Sequence, residues 1–131
     1  MTARHVRQGA LALIAVLSAA ACIEPRERLD APRVQLRLEG ESVSAGGDLR
    51  GMLSGADLSG IVFASASLMV NDDTLTRRSD RLDFVDADTI NFAFQLPVVS
   101  TALRGARVIV TGTIIDNQLF TVSVKDTAYV R

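Results

Sequence analysis

The chain has 131 residues, 48% of them hydrophobic and 22% charged, with a formal net charge of −1, one His, one Cys and no Trp. That length holds one domain at most, the apolar share argues against a wholly disordered chain, and a charge near zero removes the main case for nucleic-acid binding. His5 and Cys22, the only residues of their kinds, both lie in the first sixth of the chain.

Met1–Gln8 carries Arg4, His5 and Arg7, and the next thirteen residues, Gly9–Ala21 (GALALIAVLSAAA), hold no charge. A basic start followed by a short, uniformly apolar run is the layout of an export signal. A bilayer-spanning helix needs about 20 apolar residues. Here Glu24, Arg26, Glu27 and Arg28 follow at once, so a removable signal helix is expected in place of a permanent span.

Two processing routes fit the same letters. Ala19 and Ala21 satisfy the Ala-x-Ala rule of ordinary secretion. Leu17-Ser18-Ala19-Ala20-Ala21-Cys22 also resembles the lipobox of bacterial lipoproteins, with Ala20 and Ala21 at its small positions and Ala19 where leucine is usual. That resemblance implies that Cys22 becomes the first residue and is acylated. The solitude of Cys22 agrees, since a structural cysteine in an exported protein would want a partner. Each buried acyl methylene contributes ~0.8 kcal/mol, which anchors the protein to a membrane without inserting it. Ile23–Pro32 (IEPRERLDAP) then serves as a tether reaching roughly 35 Å when extended. The expected organisation is a signal peptide at 1–21, a tether at 22–32 and one domain at 33–131.

Loss of Arg4 and Arg7 leaves 12 basic against 15 acidic side chains and no histidine. From Arg33 onward the dominant period is two, with turn residues every eight to twelve positions, which predicts an all-β antiparallel sandwich. Val34, Leu36 and Leu38 alternate with polar neighbours as a half-buried strand. After the Ala45–Asp48 turn comes a strand at Leu49–Leu53, then a break at Ala56–Gly60. Ile61–Val70 is a longer strand whose Val62, Ala64, Ala66, Leu68 and Val70 share a face, and Asn71-Asp72-Asp73 turns the chain. Thr74–Arg78 and Leu82–Val85 read as short charged edge strands. Thr89–Leu96 alternates most clearly and ends at Pro97. Ala106–Ile115 and Leu119–Val124, joined by Asp116-Asn117-Gln118, read as a hairpin, with Asp126–Val130 continuing the last strand. Gly112 marks a bulge or a close approach. Ile90, Phe92, Phe94, Leu96, Val108 and Val110 are expected in one core.

The order of these features resembles the bacterial immunoglobulin-like and fibronectin-like domains of exported proteins. The likeness rests on the Asp-x-x-Gly loop at Asp57–Gly60, the proline ending the Phe-rich strand, Leu103-Arg104-Gly105 before the penultimate strand, and the Thr111–Asn117 run TGTIIDN. There are no paired cysteines, no core tryptophan and no tyrosine in Ala106–Ile115, which separates the chain from antibody-type domains. The resemblance implies a single immunoglobulin-like sandwich with an adhesive or spacing role.

Without a histidine after processing there is no Ser-His-Asp triad, no Cys-His pair and no ordinary zinc site containing His. The glycines match no phosphate-binding motif, so no cofactor is expected. Two carboxylates would suffice for glycoside hydrolysis, and fifteen acids make accidental pairs common. Phe92 and Phe94 fit core packing better than a sugar platform. The Asp-rich stretch 71–88 makes Asp72, Asp73, Asp86 and Asp88 weak calcium candidates, because calcium takes six to eight oxygens from converging loops. A solvated edge hairpin with interleaved Arg77, Arg78 and Arg81 accounts for the same residues, and no tight metal site is expected. The function that follows is a cell-envelope lipoprotein held on a membrane through Cys22. Its non-catalytic module would bind or space, with an envelope protein or polymer as partner. A soluble secreted domain and a carboxylate-dependent glycosidase are the alternatives.

Overall fold

The computed structural model describes residues 31–131, without the side chains of residues 83–85. The signal helix expected at Gly9–Ala21 and Cys22 lie outside the described residues. The described chain is all-β, with strands β1 (Arg33–Leu38), β2 (Ser42–Val43), β3 (Asp48–Val70), β4 (Asp73–Pro97), β5 (Arg107–Asp116) and β6 (Thr121–Val130). Period-two alternation is clearest in β5, which buries Val108, Val110, Gly112 and Ile114 and turns Ile109, Thr111, Thr113 and Ile115 outward.

The strands form one sheet in the order β1-β3-β5-β6-β2, with β4 paired to β3. Every pairing is antiparallel except the short parallel one between β2 and β6. β3 has 23 residues and β4 has 25. Such lengths are several times the usual ~5–6, and both strands change neighbours midway. The first half of β3 lies between β1 and the end of β4, whereas its second half lies between β5 and the start of β4. The pairing register slips between Ala56 and Ile61, and Gly60 adopts a positive φ of 94° there. Bulges and glycines of this kind bend a strand without ending it.

The bend lets the sheet curl until the two halves of β3 face each other. A Cβ on Gly112 would stand 2.5 Å from Leu53 Cδ1, and one on Gly55 would collide with Ile114 Cδ1. The close approach read from Gly112 is therefore a contact between the two flanks of the curled sheet. Between them lies one core holding Ile90, Phe92, Phe94, Leu96, Val108 and Val110, as expected, together with fully buried Leu53, Ile61, Leu68 and Ile114. Each large apolar side chain so buried contributes about 1.5–3 kcal/mol.

Several strand limits differ from the expected ones. The break at Ala56–Gly60 is a bend inside β3, and Thr74–Arg78 and Leu82–Val85 are parts of the single strand β4. A second register shift, between Ile61 and Phe63, buries Ile61 and leaves Val62 half-buried, so Val62 is not on the core face. Leu119 and Phe120 precede β6, in a loop where Leu119 takes a φ of 68°. The two-residue strand β2, too short to show a period, was not foreseen.

One pole of the molecule gathers the start of β1, the bend at 57–60, the middle of β4 and the loop at 117–120. Arg33 pairs with Ala56, Ile61 with Asp116, and the Asn117 N–H donates to the Gly60 carbonyl at 2.8 Å. At the far pole Asn71 and Asp72, both at positive φ (50° and 62°), make the tight β3–β4 turn. The Asn71 N–H donates to the Arg107 carbonyl (2.9 Å) and its Oδ1 accepts the Arg107 N–H (3.0 Å), which docks the turn on β5.

Candidate binding surface

The outer faces of the two flanks differ in chemistry. On the smaller flank, formed by β1, the first half of β3 and the end of β4, two polar pairs are made, while the exposed Arg33, Arg37 and Arg50 form no ion pair among the described residues. Ser54 Oγ donates to Asn91 Oδ1 (3.0 Å) and Gln95 Nε2 to Asp48 Oδ2. On the larger flank the start of β4, the second half of β3, β5 and β6 stand side by side, and their registers set hydroxyls abreast. Arg81, Ser65, Thr113 and Ser123 form one row, and Ser79, Ser67, Thr111 and Lys125 form the next. An apolar row borders each side, Met69 beside Ile109 and Phe63 beside Ile115.

All of these side chains except Ser123 and Ile115 line a groove of about 480 Å³ that also meets Arg77 and Asp80 at its rim. Thr113 Oγ1 and Ser123 Oγ lie 2.9 Å apart and share a hydrogen bond. Asp80 Oδ1 accepts the backbone N–H of Arg81 (2.8 Å). Neither Arg77 nor Lys125 makes an ion pair among the described residues. The surface therefore offers two hydroxyl rows between basic rims. Sequence reasoning noted Arg77 and Arg81 among the charges of an edge hairpin, where the neighbouring acids oppose a basic patch. It missed the surface because the rows combine residues from four strands whose register a single sequence does not display.

The calcium candidates fall elsewhere. Asp72 sits in the tight turn, 3.8 Å from the Arg107 guanidinium, and Asp73 Oδ1 accepts the Leu75 N–H. Asp86 and Asp88 stand at the opposite pole, within β4 and not in a loop, with Asp86 Oδ1 against Gly60. Thirteen residues of extended strand separate Asp73 from Asp86, roughly 40 Å, so the two pairs do not converge. Among the described residues no group of three or more His, Cys, Asp or Glu is placed to hold a metal ion. Thermal melts in calcium and in chelator are expected to coincide, because a ligand held only by the folded state must raise its stability. A rise of several degrees that disappears in Asp86→Ala or Asp88→Ala would contradict this.

The pole where the described chain begins carries a second groove, of about 290 Å³, bordered by Ala31, Arg33, Asp57, Leu58 and Asp88. It holds two carboxylates but no aromatic wall, and Asp57 Oδ1 is already bound by the N–H and hydroxyl of Ser59. Beside it Asp116, fully buried, organises the β5–β6 loop. Its Oδ1 accepts the N–H groups of Gln118 (2.9 Å) and Phe120 (2.8 Å), while its Oδ2 is buried without a hydrogen-bond partner.

No family model matches the sequence, and no curated protein matches it. Solved structures do resemble the fold. The sporulation control protein Spo0M from Bacillus subtilis aligns at 17% identity and TM-score 0.58, covering 79% of this chain and 50% of its own, so this chain spans about half of Spo0M. A superoxide reductase (neelaredoxin) from Ignicoccus hospitalis aligns at 11% identity and TM-score 0.52, covering 78% of this chain and 81% of that one. A FixG-related protein from Vibrio parahaemolyticus aligns at 10% identity and TM-score 0.51, covering 79% and 99%. At these identities the likeness is one of β-fold.

Proposed function

We propose that the chain is an exported bacterial protein held at the cell envelope through an acylated Cys22, carrying at residues 33–131 one non-catalytic, immunoglobulin-like sandwich that binds an envelope partner. The observation that carries the binding role is the hydroxyl-rich, base-rimmed face of the larger flank. Support for the sandwich comes from two sheet flanks packed across one core with antiparallel pairing throughout their long strands. Support for a role without catalysis comes from composition, since residues 31–131 contain neither histidine nor cysteine. The anchor and the module are compatible in space. The described chain begins at Ala31 and Pro32, at the pole opposite the β3–β4 turn, where a tether of about ten residues would join the domain.

Cys22→Ser tests the anchor. Expressed in a bacterium, the wild-type protein is expected to fractionate with membranes and to take up a palmitate analogue. The variant should do neither, while melting at the wild-type temperature, because residue 22 is separated from β1 by the tether. Unlabelled, soluble wild-type protein would falsify the lipoprotein reading and leave the secreted domain in its place.

A further inference from the structure

Resting on the binding-module reading, we infer that the grooved face of the larger flank binds a carboxylate-bearing polysaccharide lying across β4, β3, β5 and β6. Charge is the first argument. The chain has more acids than bases, 15 against 14, yet this groove is rimmed by Arg77 on one side and Lys125 on the other, neither in an ion pair among the described residues, with Asp80 and Arg81 between them and the floor. Guanidinium forks pair with carboxylates through two parallel hydrogen bonds, which makes arginine rims selective for that group.

The groove floor supplies the second argument. Serine and threonine hydroxyls both donate and accept, which suits a partner rich in hydroxyl groups. The two hydroxyl rows run across the strands, perpendicular to the chain direction. Adjacent strands lie ~4.8 Å apart, comparable to the length of one pyranose unit, so successive sugars would meet successive strands. The half-buried rows of Met69 with Ile109 and Phe63 with Ile115 border that track and offer apolar surface to the C–H faces of sugar rings. A bilayer is a poorer match, because a flat surface meets loop tips and this face is a groove along the side of the molecule.

The test uses the full chain extracted in nonionic detergent and passed over immobilised polygalacturonate, neutral dextran and polyglutamate. Retention is expected on polygalacturonate at low salt, with release at high salt and passage through dextran. Arg77→Ala combined with Lys125→Ala should lower affinity for polygalacturonate about tenfold. Thr111→Val combined with Ser67→Ala removes two hydroxyls without touching charge and should lower it about threefold or more. All four positions lie on the outer face, and unchanged thermal melts would show that the variants fold. Equal retention on polyglutamate, an unaffected hydroxyl variant, or no retention on polygalacturonate overturns the inference. Wild-type protein that fractionates with membranes but ignores the polymer overturns the ligand alone. Protein that binds the polymer but remains soluble and unlabelled overturns the anchor alone.

Discussion

Phe94→Ala is expected to lower the free energy of unfolding by about 3–5 kcal/mol, among the largest effects of any single truncation in this domain. The Phe94 ring is 3% exposed and lies over Gly51, where a Cβ would stand only 2.5 Å from its Cζ. It meets the Phe92 ring in a tilted contact, with centroids 6.4 Å apart, a geometry that adds about 0.5–1.5 kcal/mol beyond area burial. Gly51 lacks a side chain, and its backbone is pinned between Leu38 on β1 and Phe94 itself on β4. Urea unfolding should show a lower midpoint at an unchanged slope. Leu75→Ala, at a residue 85% exposed, should stay within about 0.5 kcal/mol of wild type. A loss below about 1 kcal/mol for Phe94→Ala would place the ring outside the core.

Asp116→Ala should cost about 2–4 kcal/mol, whereas Asp116→Asn should cost less than half as much. The carboxylate Oδ1 is the acceptor for two loop N–H groups, and the backbone of Asp116 closes the same loop through Phe120 and Leu119. Alanine strips both N–H groups of their acceptor and unties a turn in which Leu119 already holds an unfavourable positive φ. Asparagine keeps an oxygen where Oδ1 stands and exchanges Oδ2, which has no partner, for an amide group. Parallel thermal melts of the two variants separate these effects. Equal losses would mean that the position contributes shape and not hydrogen bonding.

Strand identity was legible where alternation is unbroken. The Ile90–Leu96 and Val108–Ile114 faces both fall in the core because apolar residues at every second position leave one orientation that hides them. The Asn71-Asp72 turn was legible because these residue types tolerate positive φ. What stayed hidden was continuity. Ala56–Gly60 contains Asp, Ser and Gly, the residues of a turn, yet pairing with β1, β4 and β5 on either side carries β3 through the bend. Asp86-Ala87-Asp88 reads as a loop by composition and is held in β4 through the pairing of Ala87 with Ile61. The candidate site was less legible still. Its hydroxyls occupy the outward positions of four strands, where sequence alone reports only that a residue is polar.

The sharing of β3 and β4 by both flanks also sets an order on folding. Asn71 and Asp72 close the shortest loop among the described strands, two residues long, and pairing that spread from it would span a longer separation with each new bond. Short hairpins form in about 1–10 μs, and the Asn71-Asp72 turn is the place where such a nucleus would start here. Once zipped through the bend, that ribbon presents an edge for β1 on one arm and for β5 on the other. The late steps are then additions to an existing template, and neither flank can be lost without unzipping the ribbon that both of them share.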